Sequence, residues 1–448
     1  MATQTEAASS RRLFGTDGVR GRAGEFLTAD LALRLGHAAV GITQSSTPQV
    51  LIVRDTRESG QMFEAALAAG ITAAGGDAVY GGVLPTPGAA LLGRRLGFDL
   101  AAVVSASHNP YHDNGIKFFG REGTKLDDDA EARIEAAVLA GEEPAMAERA
   151  GRTRALRGAA DDYLRELELR FRDLDLSGRR ILLDCANGAA YRVGPEIFRR
   201  LGADIEVVAN EPDGRNINAG VGSTHIDALA ETVRAGDYEI AFAFDGDADR
   251  VLAVDRNGQC VDGDEIIAIA ALHLHEKGDL PGPGVAVTVM TNFGFHSSMK
   301  AAGIEVATTP VGDRNVIVEL MRRGWALGGE QSGHIIETRF VPSGDGVAAA
   351  LLTLEALRGR DLTERDAMQK LPQVLLNVRV GDRDALASSR EVWDAVDRES
   401  QALAGKGRVL VRASGTEPLV RVMVEAPEEA QCEEIAGRLA ATVEHQLA

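Results

Sequence analysis

The first candidate for chemistry is a serine in the polar stretch SASHNP (residues 105–110), which follows the apolar segment Leu100–Val104. Loops that follow strands are common positions for active sites in α/β proteins. A serine hydroxyl is a weak nucleophile unless a neighbouring group takes its proton. His108 adjoins Ser107, and Lys117 lies beyond a short turn, so groups that could activate the hydroxyl are close in sequence. A serine-rich turn that caps a helix explains the stretch equally well at this point.

Three carboxylates alternate in the stretch DGDADR, which also follows an apolar segment. Asp245, Asp247 and Asp249 repel one another at this spacing, and a hard divalent cation bound through their oxygens relieves the repulsion. A calcium-binding EF-hand loop is excluded, because Arg250 and Arg256 occupy the positions that need glycine and glutamate. Three local ligands leave room for water or phosphate, as is usual for Mg²⁺ in phosphoryl transfer. A solvated acidic turn is the alternative.

Near the end of the chain, the stretch RASGTEP (residues 412–418) lies between two predicted strands. Backbone N–H groups in a glycine-containing turn, two hydroxyls and two arginines together form a suitable cradle for phosphate. Arginine suits this role because its planar guanidinium matches phosphate oxygens. An ordinary hairpin turn is the alternative for the SGT sequence alone. The phosphate-binding candidates are Arg412, Ser414, Gly415, Thr416 and Arg421.

Two further polar loops are weaker signals by themselves. The stretch GGEQSGH (residues 328–334) places polar side chains among glycines, where they can offer hydrogen bonds to sugar hydroxyls, and a related loop occupies residues 311–314. Solvated surface loops explain both stretches as well. The candidates that they contribute are Gly312, Asp313, Arg314, Glu330, Ser332 and His334.

These loops need rigid elements to hold them, and one unit recurs three times: an apolar strand, a polar loop, a helix, a glycine and a second short strand. The copies pair predicted strands 50–53 with 76–79, 181–183 with 202–207, and 285–289 with 303–306, around helices at 62–69, 196–201 and 297–302. Gly202 and Gly303 stand where a left-handed residue ends a helix. Apolar strands that alternate with helices are typical of parallel or mixed sheets covered on both faces, which predicts three related α/β domains.

The last part of the chain follows another pattern. Strands predicted at 373–380, 408–411 and 419–425 precede an amphipathic helix at 427–447, which indicates an α+β domain. The predicted fold class is therefore three related α/β domains with mixed sheets plus a smaller C-terminal α+β domain around a central cleft. The predicted domains are 1–157 with the serine loop, 158–258 with the aspartate loop, 259–371 with the GGEQSGH loop and 372–448 with the RASGTEP turn.

The composition of the 448-residue chain narrows the function further. Asp and Glu outnumber Lys and Arg by 67 to 48, and the net charge of −19 argues against a nucleic-acid-binding surface. Cys185, Cys260 and Cys432 form no CxxC pair, so neither a disulfide framework nor a zinc site is expected. The first ten residues do not resemble a secretory signal, and no apolar run is long enough for a membrane span, so the predicted location is the cytoplasm.

The stretches SASHNP, DGDADR, GEQSGH and RASGTEP, in this order and with one in each predicted domain, resemble the motifs of the alpha-D-phosphohexomutase superfamily. The resemblance covers essentially the whole chain after residue 10. Within the superfamily, the chain is most similar to the bacterial branch that acts on glucosamine phosphates. Four stretches carry this closer resemblance: FGTDGVRG at 14–21, NIN at 216–218, GSTH at 222–225 and VGDR at 311–314.

The resemblance implies a role for each candidate. Ser107 would carry the transferred phosphoryl group as phosphoserine, and the three aspartates would hold one Mg²⁺ per chain together with an oxygen of that phosphate. The residues around the phosphoryl group would be Arg20, His108, Lys117 and Arg250. The candidates in residues 312–314 and 330–334 would bind the sugar, and those in the RASGTEP turn, with Arg421, would bind the phosphate that is not reacting.

The implied reaction interconverts glucosamine 6-phosphate and glucosamine 1-phosphate through glucosamine 1,6-bisphosphate, for the synthesis of UDP-N-acetylglucosamine and cell-wall precursors. The expected partner is a small phosphosugar, with neither nucleic acid nor membrane, and the resemblance also implies a homodimer. The same chemistry on glucose or mannose phosphates is the nearest alternative. A non-catalytic, metal-binding phosphoprotein is the alternative from another class.

Overall fold

The computed structural model describes residues 13–141, 146–414 and 418–447. These residues form two compact units. The first unit ends at Val289 and resumes over Glu305–Arg365, and the second contains Met290–Ile304 and the chain from Asp366 onward. None of the helices within the described ranges is both long and apolar enough to cross a membrane.

The first sheet of the first unit has six strands among the described residues, in the spatial order β1-β5-β4-β2-β3-β6. Their bounds are β1 Val19–Arg22, β2 Gln49–Arg54, β3 Asp77–Val83, β4 Leu100–Val104, β5 Asp113–Gly120 and β6 Thr153–Ala155. The accompanying helices are α1 Ala29–Gly41, α2 Gly60–Ala73, α3 Thr86–Leu96 and α4 Asp128–Leu139. Strand β2 is parallel to β3 and β4, whereas β5 runs antiparallel to β1 and β4, so the predicted mixed sheet is confirmed.

The second sheet has the described strand order β11-β10-β9-β7-β8. The bounds are β7 Arg180–Asp184, β8 Asp204–Val208, β9 Ile240–Phe244, β10 Val251–Asp255 and β11 Cys260–Val261, with helices α5 Ala159–Arg170, α6 Ala190–Arg200 and α7 Ile226–Ala235. The predicted parallel pair is present as β7 and β8. Gly202 has a φ of 94°, which is the left-handed conformation predicted after α6.

The third sheet has the described strand order β13-β12-β14-β15. The bounds are β12 Gly284–Thr288, β13 Glu305–Thr309, β14 Leu327–Gly329 and β15 Ile335–Glu337, with helices α8 Gly263–Glu276, α10 Asp313–Arg323 and α11 Gly346–Leu357. Strands β12 and β13 form the predicted parallel pair. Two short 3₁₀ turns, Ser223–His225 and Leu362–Glu364, complete the described elements of the first unit.

The second unit contains an antiparallel sheet with the described order β16-β18-β17. The bounds are β16 Gln373–Arg379, β17 Arg408–Ala413, β18 Leu419–Glu425, α9 Phe293–Ala301, α12 Arg390–Ala402, α13 Glu429–Leu447 and a 3₁₀ turn at Asp384–Ser388. Alternate residues of β18, Val420, Val422 and Val424, are fully buried in the core of this unit, as the alternating pattern of the sequence predicts.

Helix α9 belongs to the second unit, although the sequence repeat predicts it as the helix of the third α/β copy. The Asn292 Oδ1 atom accepts a hydrogen bond from the Leu371 N–H at 3.0 Å, and the Phe293 N–H donates to Glu425 Oε2 at 2.8 Å. These long-range bonds connect the start of α9 to β18 and to the residues just before β16, and strand-and-helix periodicity carries no signal for such contacts.

The three sheets of the first unit share one feature of strand topology, and this feature positions the site. Each of β4, β9 and β14 has a parallel neighbour on one side and, on the other, an antiparallel strand that follows it directly in the chain. The loop in each of these turns is one of the stretches with chemistry: the serine loop after β4, the aspartate loop after β9 and the GGEQSGH loop after β14.

Helices α1 and α2 pack with almost no space between their backbones. A Cβ atom at Gly70 would lie 1.9 Å from the Leu33 carbonyl oxygen. A Cβ atom at Gly36 would lie 2.4 Å from the Leu67 carbonyl oxygen. Because the opposing atoms belong to the backbone, a larger residue can fit only if a helix moves.

Gly70→Ala is therefore expected to lower the melting temperature by about 3 °C or more, since overpacking typically costs 1–3 kcal/mol. Gly41→Ala is the matched control, because Gly41 ends α1 and a Cβ atom there meets nothing within 4 Å. Scanning calorimetry of both variants checks this prediction. Equal melting temperatures for the two variants would contradict the close packing.

Asp345 precedes α11 and is buried among neutral hydrogen-bond donors. Its Oδ1 atom accepts from the Ala348 N–H at 2.9 Å, and the Tyr163 hydroxyl lies 2.9 Å from each carboxylate oxygen. Burial raises the pKa of Asp345 to about 7, because these donors offset only part of the cost of desolvation.

Since this folded-state pKa exceeds the ordinary value of 3.8, the folded state retains a proton that the unfolded chain has lost, and stability falls as the pH rises between these values. Asp345→Asn keeps an oxygen acceptor and removes the titration. The melting temperature of the variant minus that of the wild type is expected to increase from pH 5 to pH 7. A difference that does not change with pH would contradict the raised pKa.

Candidate active site

Ser107 lies in the loop after β4, is 1% exposed, and has a left-handed backbone with a φ of 51°. This conformation is uncommon for a residue with a Cβ atom, and such residues cluster at functional sites. The hydroxyl donates to Asp245 Oδ2 at 2.5 Å and lies 3.3 Å from Nδ1 of His108. The structure therefore brings the serine loop and the aspartate loop into direct contact.

The aspartate loop after β9 packs closely on the serine loop. A Cβ atom at Gly246 would lie 2.5 Å from the Ser107 carbonyl oxygen, so this approach requires glycine. The carboxylates of Asp245, Asp247 and Asp249 are buried, and each offers an oxygen within 4.8 Å of those of the other two. Burial and proximity make this cluster strongly repulsive unless positive charge is present.

The cluster fits a hard divalent cation. The Oδ1 atoms of Asp247 and Asp249 are buried and have no hydrogen-bond partner among the described residues. Buried charged oxygens are costly to leave unpaired, and Mg²⁺ binds through carboxylate oxygens of this kind. The residues present therefore match the donor set that a metal of this type requires.

Lys117 and Thr86 compensate part of the negative charge. The Lys117 Nζ atom lies 2.7 Å from Asp247 Oδ2, and the Thr86 hydroxyl donates to the same oxygen at 2.6 Å. Burial opposes ionisation of Asp247, but the contacts with Lys117 and Thr86 outweigh it and hold the pKa of this carboxyl below its usual range.

The other two carboxyls have different environments. Burial also opposes ionisation of Asp249, but His334 and Lys117 hold its pKa well below the ordinary value. Burial, together with the charges of Asp249 and Asp247, raises the pKa of Asp245 well above the ordinary value. The protein groups thus stabilise two of the three charges, and a bound cation would stabilise the third.

Arg20 and Arg250 supply donors beside the cluster. The Arg250 backbone N–H donates to Asp245 Oδ1 at 3.1 Å. The Nε atoms of Arg20 and Arg250 are buried without a hydrogen-bond partner in the part of the chain that the structure describes. Guanidinium groups with unused donors at a site that fits a cation are suited to the oxygens of a phosphoryl group.

His108 is neutral at this position near neutral pH. Burial and the nearby charges of Arg250 and Arg20 lower the pKa of His108 to about 4. A neutral imidazole can accept a proton and pass it on. Its Nδ1 atom, 3.3 Å from the Ser107 hydroxyl, is within reach of the reacting oxygen.

The structure adds Asp17, Thr86 and Lys125 to the residues that the motifs predict. Asp17 accepts hydrogen bonds from Arg20 and Lys125. Lys125 also donates to Asp313 Oδ2 at 2.6 Å, which connects the first and third sheets. Asp17 lies within the FGTDGVRG stretch, so the sequence motifs could have indicated it. They could not have indicated Thr86 and Lys125, because the partners of these two residues are more than one hundred residues away in the chain.

The GGEQSGH loop turns from β14 into β15 and contacts the aspartate loop. The Nδ1 atom of His334 lies 3.6 Å from Asp249 Oδ1, and its Nε2 atom accepts from the Gly344 N–H at 3.1 Å. The Glu330 Oε1 atom accepts from the Gly312 N–H at 3.0 Å. The structure therefore brings together the two loops that were weak signals in the sequence.

The remaining candidates of these loops have separate neighbours. Asp313 contacts Lys125 and lies 3.7 Å from Nε2 of His334. The Arg314 guanidinium forms ion pairs with Asp128 and Glu131 of α4, the latter at 2.6 Å. Ser332 is exposed. Arg314, the second residue of α10, thus connects the start of that helix to α4.

In the second unit, the RASGTEP turn places two arginines side by side. Arg412 on β17 and Arg421 on β18 are paired residues of the sheet, and burial together with the charge of Arg421 lowers the pKa of Arg412. Like charges at paired positions destabilise a sheet, and a bound anion relieves the repulsion. Arg383 adds a third guanidinium, which donates to the Ser414 carbonyl at 2.7 Å. Gly415 and Thr416 lie outside the described residues.

Comparisons with known proteins identify the class that this fold and site define. Four family models, described as phosphoglucomutase/phosphomannomutase alpha/beta/alpha domains I, II and III and C-terminal domain, match residues 11–145, 161–258, 262–383 and 375–442, respectively. The chain belongs to the phosphoglucomutase/phosphomannomutase family, a family of magnesium-dependent phosphohexomutases. The family and the fold class predicted from the sequence are confirmed.

Individual relatives are more specific. The phosphoglucosamine mutase of Pelotomaculum thermopropionicum is 49% identical over 435 residues, which cover 95% of this chain and 98% of the relative. A solved phosphoglucomutase/phosphomannomutase family protein from Burkholderia thailandensis is 25% identical with a TM-score of 0.80, over 96% of this chain and 97% of that one. Aspergillus fumigatus N-acetylphosphoglucosamine mutase, solved in complex with GlcNAc-6P and magnesium, shares the fold at 19% identity and a TM-score of 0.71, over 99% and 97% of the chains.

Asp245→Asn is expected to abolish most of the thermal stabilisation that Mg²⁺ gives the protein, because a ligand that binds only the folded state raises the melting temperature. With EDTA present, the variant should melt at the wild-type temperature or above it, since the amide needs no neighbouring cation and keeps an oxygen that can accept the Arg250 N–H. Melting curves with EDTA and with millimolar Mg²⁺ measure both effects. Asp237→Asn, which alters a fully exposed carboxylate, is the control and should keep the shift. A full Mg²⁺ shift in Asp245→Asn would contradict the metal site.

Proposed function

We propose that the chain is a phosphoglucosamine mutase, which interconverts glucosamine 6-phosphate and glucosamine 1-phosphate through phosphoserine at Ser107 and glucosamine 1,6-bisphosphate. The observation that carries the proposal is the 2.5 Å contact of the Ser107 hydroxyl with Asp245, inside a buried cluster in which two carboxylate oxygens accept no hydrogen bond from the described residues. The relative at 49% identity over nearly its whole length supports glucosamine as the sugar.

Ser107 carries the phosphoryl group in the resting enzyme and gives it to O1 of glucosamine 6-phosphate. As the bond from phosphorus to Oγ breaks, the sugar hydroxyl loses a proton and Oγ gains one. The neutral His108, with Nδ1 3.3 Å from Oγ, is positioned to relay this proton. The bisphosphate then reverses its orientation in the site, and its 6-phosphoryl group is transferred to Ser107, which leaves glucosamine 1-phosphate.

Catalysis rests on positioning and on electrostatic stabilisation of the in-line transfer. Asp245, Asp247 and Asp249, with an oxygen of the Ser107 phosphate, would hold one Mg²⁺ per chain. When bound, Mg²⁺ neutralises charge on the transferred group. The Nε donors of Arg20 and Arg250, which make no hydrogen bond within the described part of the chain, bind its oxygens. Lys117, kept in place by its 2.7 Å contact with Asp247, adds a second positive charge.

The sugar is bound by the loops of the third sheet. Glu330 and Ser332 contact its hydroxyls with His334 beside them, and Gly312 and Asp313 support this group through Glu330 and Lys125. Arg314 completes this group, because its ion pair with Glu131 joins the start of α10 to α4.

The phosphate that is not reacting is bound by the RASGTEP turn of the second unit. The paired guanidinium groups of Arg412 and Arg421 provide its charge complement. The other members of this proposed cradle are Ser414, Gly415 and Thr416.

The proposed domain limits remain 1–157, 158–258, 259–371 and 372–448. The second family model, which matches residues 161–258, and the fourth, which begins at residue 375, support these limits, whereas the first ends at residue 145 and the third extends to residue 383. The proposed place of action is the cytoplasm, supported by Cys185 and Cys432, which are buried and form no disulfide within the described residues. We also propose that the enzyme is a homodimer.

Ser107→Ala is expected to lower kcat by at least about 10³-fold, because the alanine side chain cannot carry the phosphoryl group. A coupled assay of the glucosamine phosphates measures the loss, and intact mass spectrometry should show phosphate on the wild type and none on the variant. Ser45→Ala, at an exposed loop position of the same predicted domain, is the control and should retain full activity. Undiminished activity of Ser107→Ala would rule out the carrier.

The choice of sugar is tested by comparing kcat/KM for glucosamine 1-phosphate, glucose 1-phosphate and mannose 1-phosphate. Glucosamine 1-phosphate is expected to have the highest value, since specificity is the ratio of these constants. A higher value for either neutral sugar would reassign the substrate while leaving the carrier and the metal site unaffected.

A further inference from the structure

The buried side chain of Arg57, which follows β2 of the first sheet, donates hydrogen bonds to the backbone of the serine loop. The Arg57 side chain is 0% exposed, and each of its five N–H groups has an acceptor. The acceptors are the carboxylate of Asp55 and the carbonyl oxygens of Ser107, Asn109, Pro110 and Asp113. The bonds from Nη2 to the Ser107 and Asn109 carbonyls are 2.9 and 2.8 Å long. No motif in the sequence pointed to this residue.

Asp55 compensates the buried charge of Arg57 at 2.8 Å, and neither side chain is exposed. The same Oδ2 atom accepts from the Ser105 hydroxyl at 2.6 Å, and Ser105 Oγ accepts from the backbone N–H of Ser107 at 3.0 Å. Both the N–H and the carbonyl of Ser107 are therefore connected to the Asp55–Arg57 pair, which fixes the peptide groups on either side of its Cα atom.

A second group holds the same two carbonyls from the second sheet's side. The Asn218 Nδ2 atom donates to the Ser107 carbonyl at 2.9 Å and to the Asn109 carbonyl at 3.1 Å. Asn218 is buried and left-handed, with a φ of 57°, a conformation that asparagine tolerates better than most residues. A Cβ atom at Gly246 would lie 2.7 Å from Nδ2, so the aspartate loop packs directly on this contact.

We propose that Arg57 and Asn218 are positioning residues for phosphoryl transfer: together they hold the Ser107 and Asn109 carbonyls and so fix Ser107 Oγ against the aspartate loop. This inference rests on the proposed function, because fixing the position of Ser107 affects catalysis only if Ser107 carries the phosphoryl group. A left-handed serine relaxes unless its surroundings fix it. In-line transfer is sensitive to small displacements, and a shift of about 1 Å costs on the order of 100-fold in rate.

The residue types fit this role. Lysine has three donors on a flexible stem, whereas the planar guanidinium of Arg57 supplies five in fixed directions for five acceptors. Asn218 combines an amide that can donate twice with a backbone that accepts a positive φ. The NIN stretch at 216–218, which resembled one branch of the superfamily in sequence alone, thereby acquires a physical function.

Asn218→Gly is the main test, because glycine keeps the left-handed backbone and removes only the side-chain donors. We expect kcat to fall about 10- to 100-fold, as misplacement of a reacting group does, with KM within about threefold of the wild type. The affinity for Mn²⁺, measured by calorimetry as a probe of the aspartate cluster, should also stay within about threefold. A wild-type kcat, or a loss of kcat that a proportional loss of Mn²⁺ affinity accompanies, would overturn the proposal.

Asn216→Ala is the matched control from the same stretch. The Asn216 side chain donates to the Glu211 carbonyl at 2.9 Å and accepts from the Asp213 N–H at 3.0 Å, and it does not touch the serine loop. The variant loses as many hydrogen bonds as Asn218→Gly and should keep the wild-type kcat. An equal loss of kcat in both variants would show that only the local fold matters, and would overturn the proposal.

Arg57→Lys tests the contribution of Arg57 to holding the Ser107 and Asn109 carbonyls. Lysine retains the charge opposite Asp55 but can satisfy at most three of the five acceptors, so we expect a fall in kcat of about tenfold or more at unchanged KM. Arg365→Lys is the control for loss of a partly buried, paired guanidinium, since Arg365 forms ion pairs with Asp255 and Glu265 at distances of 2.7 and 2.8 Å, away from the serine loop. The control should lower the melting temperature without lowering kcat. A normal kcat in Arg57→Lys would overturn the role of Arg57.

A labelling experiment separates failure of this inference from failure of the proposed function. Dephosphorylated protein is mixed with glucose 1,6-bisphosphate, and the transfer of one phosphoryl group to Ser107 is followed by intact mass spectrometry. If the wild type takes no label, the proposed function fails whatever the variants do. If the wild type and Asn218→Gly take the label at the same rate, only the positioning role fails. Slower labelling of the variant supports the role, whichever sugar phosphate is the substrate.

Discussion

Three buried carboxylates within 4.8 Å of one another are the constraint on which the rest of the site depends. Such a cluster is unstable by itself, because burial weakens solvation while proximity adds repulsion. The first unit surrounds it with groups drawn from all three of its sheets: Lys117 and Thr86 from the first, the Arg250 backbone from the second and His334 from the third. The need to neutralise one loop thus helps to hold three sheets in one unit.

The topology explains how three sheets can serve one centre. In each sheet the loop with chemistry connects a strand that has a parallel neighbour to an antiparallel return strand. The sequence predicted the earlier part of each repeat, because apolar strands, helices and closing glycines leave a periodic signal. It did not predict the return strands β10 and β15 as part of the pattern, since short strands that follow a polar loop look like ordinary loop sequence.

The candidate site divides in the same way. Ser107, the three aspartates and His334 could be predicted, because their chemistry is concentrated in short stretches. Arg57, Lys125 and Thr86 could not, since each acts through partners that lie far away in the chain or through backbone carbonyls, which every residue has. Arg314 is the opposite case. It lies in a stretch that the sequence predicts to bind the sugar, but its guanidinium forms ion pairs with side chains of α4.

The second unit is assembled from two separated stretches of chain, and this has a consequence for how the protein is made. On the ribosome, α9 emerges well before β18, whose Glu425 accepts the first N–H of the helix. At elongation rates of roughly 5–20 residues per second, α9 waits for several seconds without its sheet. The first unit, in contrast, is complete in sequence once Arg365 has emerged. The nascent chain therefore finishes the part that holds Ser107 and the aspartates first, and a ribosome that stops shortly before β18 leaves a complete first unit with a helix inserted in its sequence that still lacks β18.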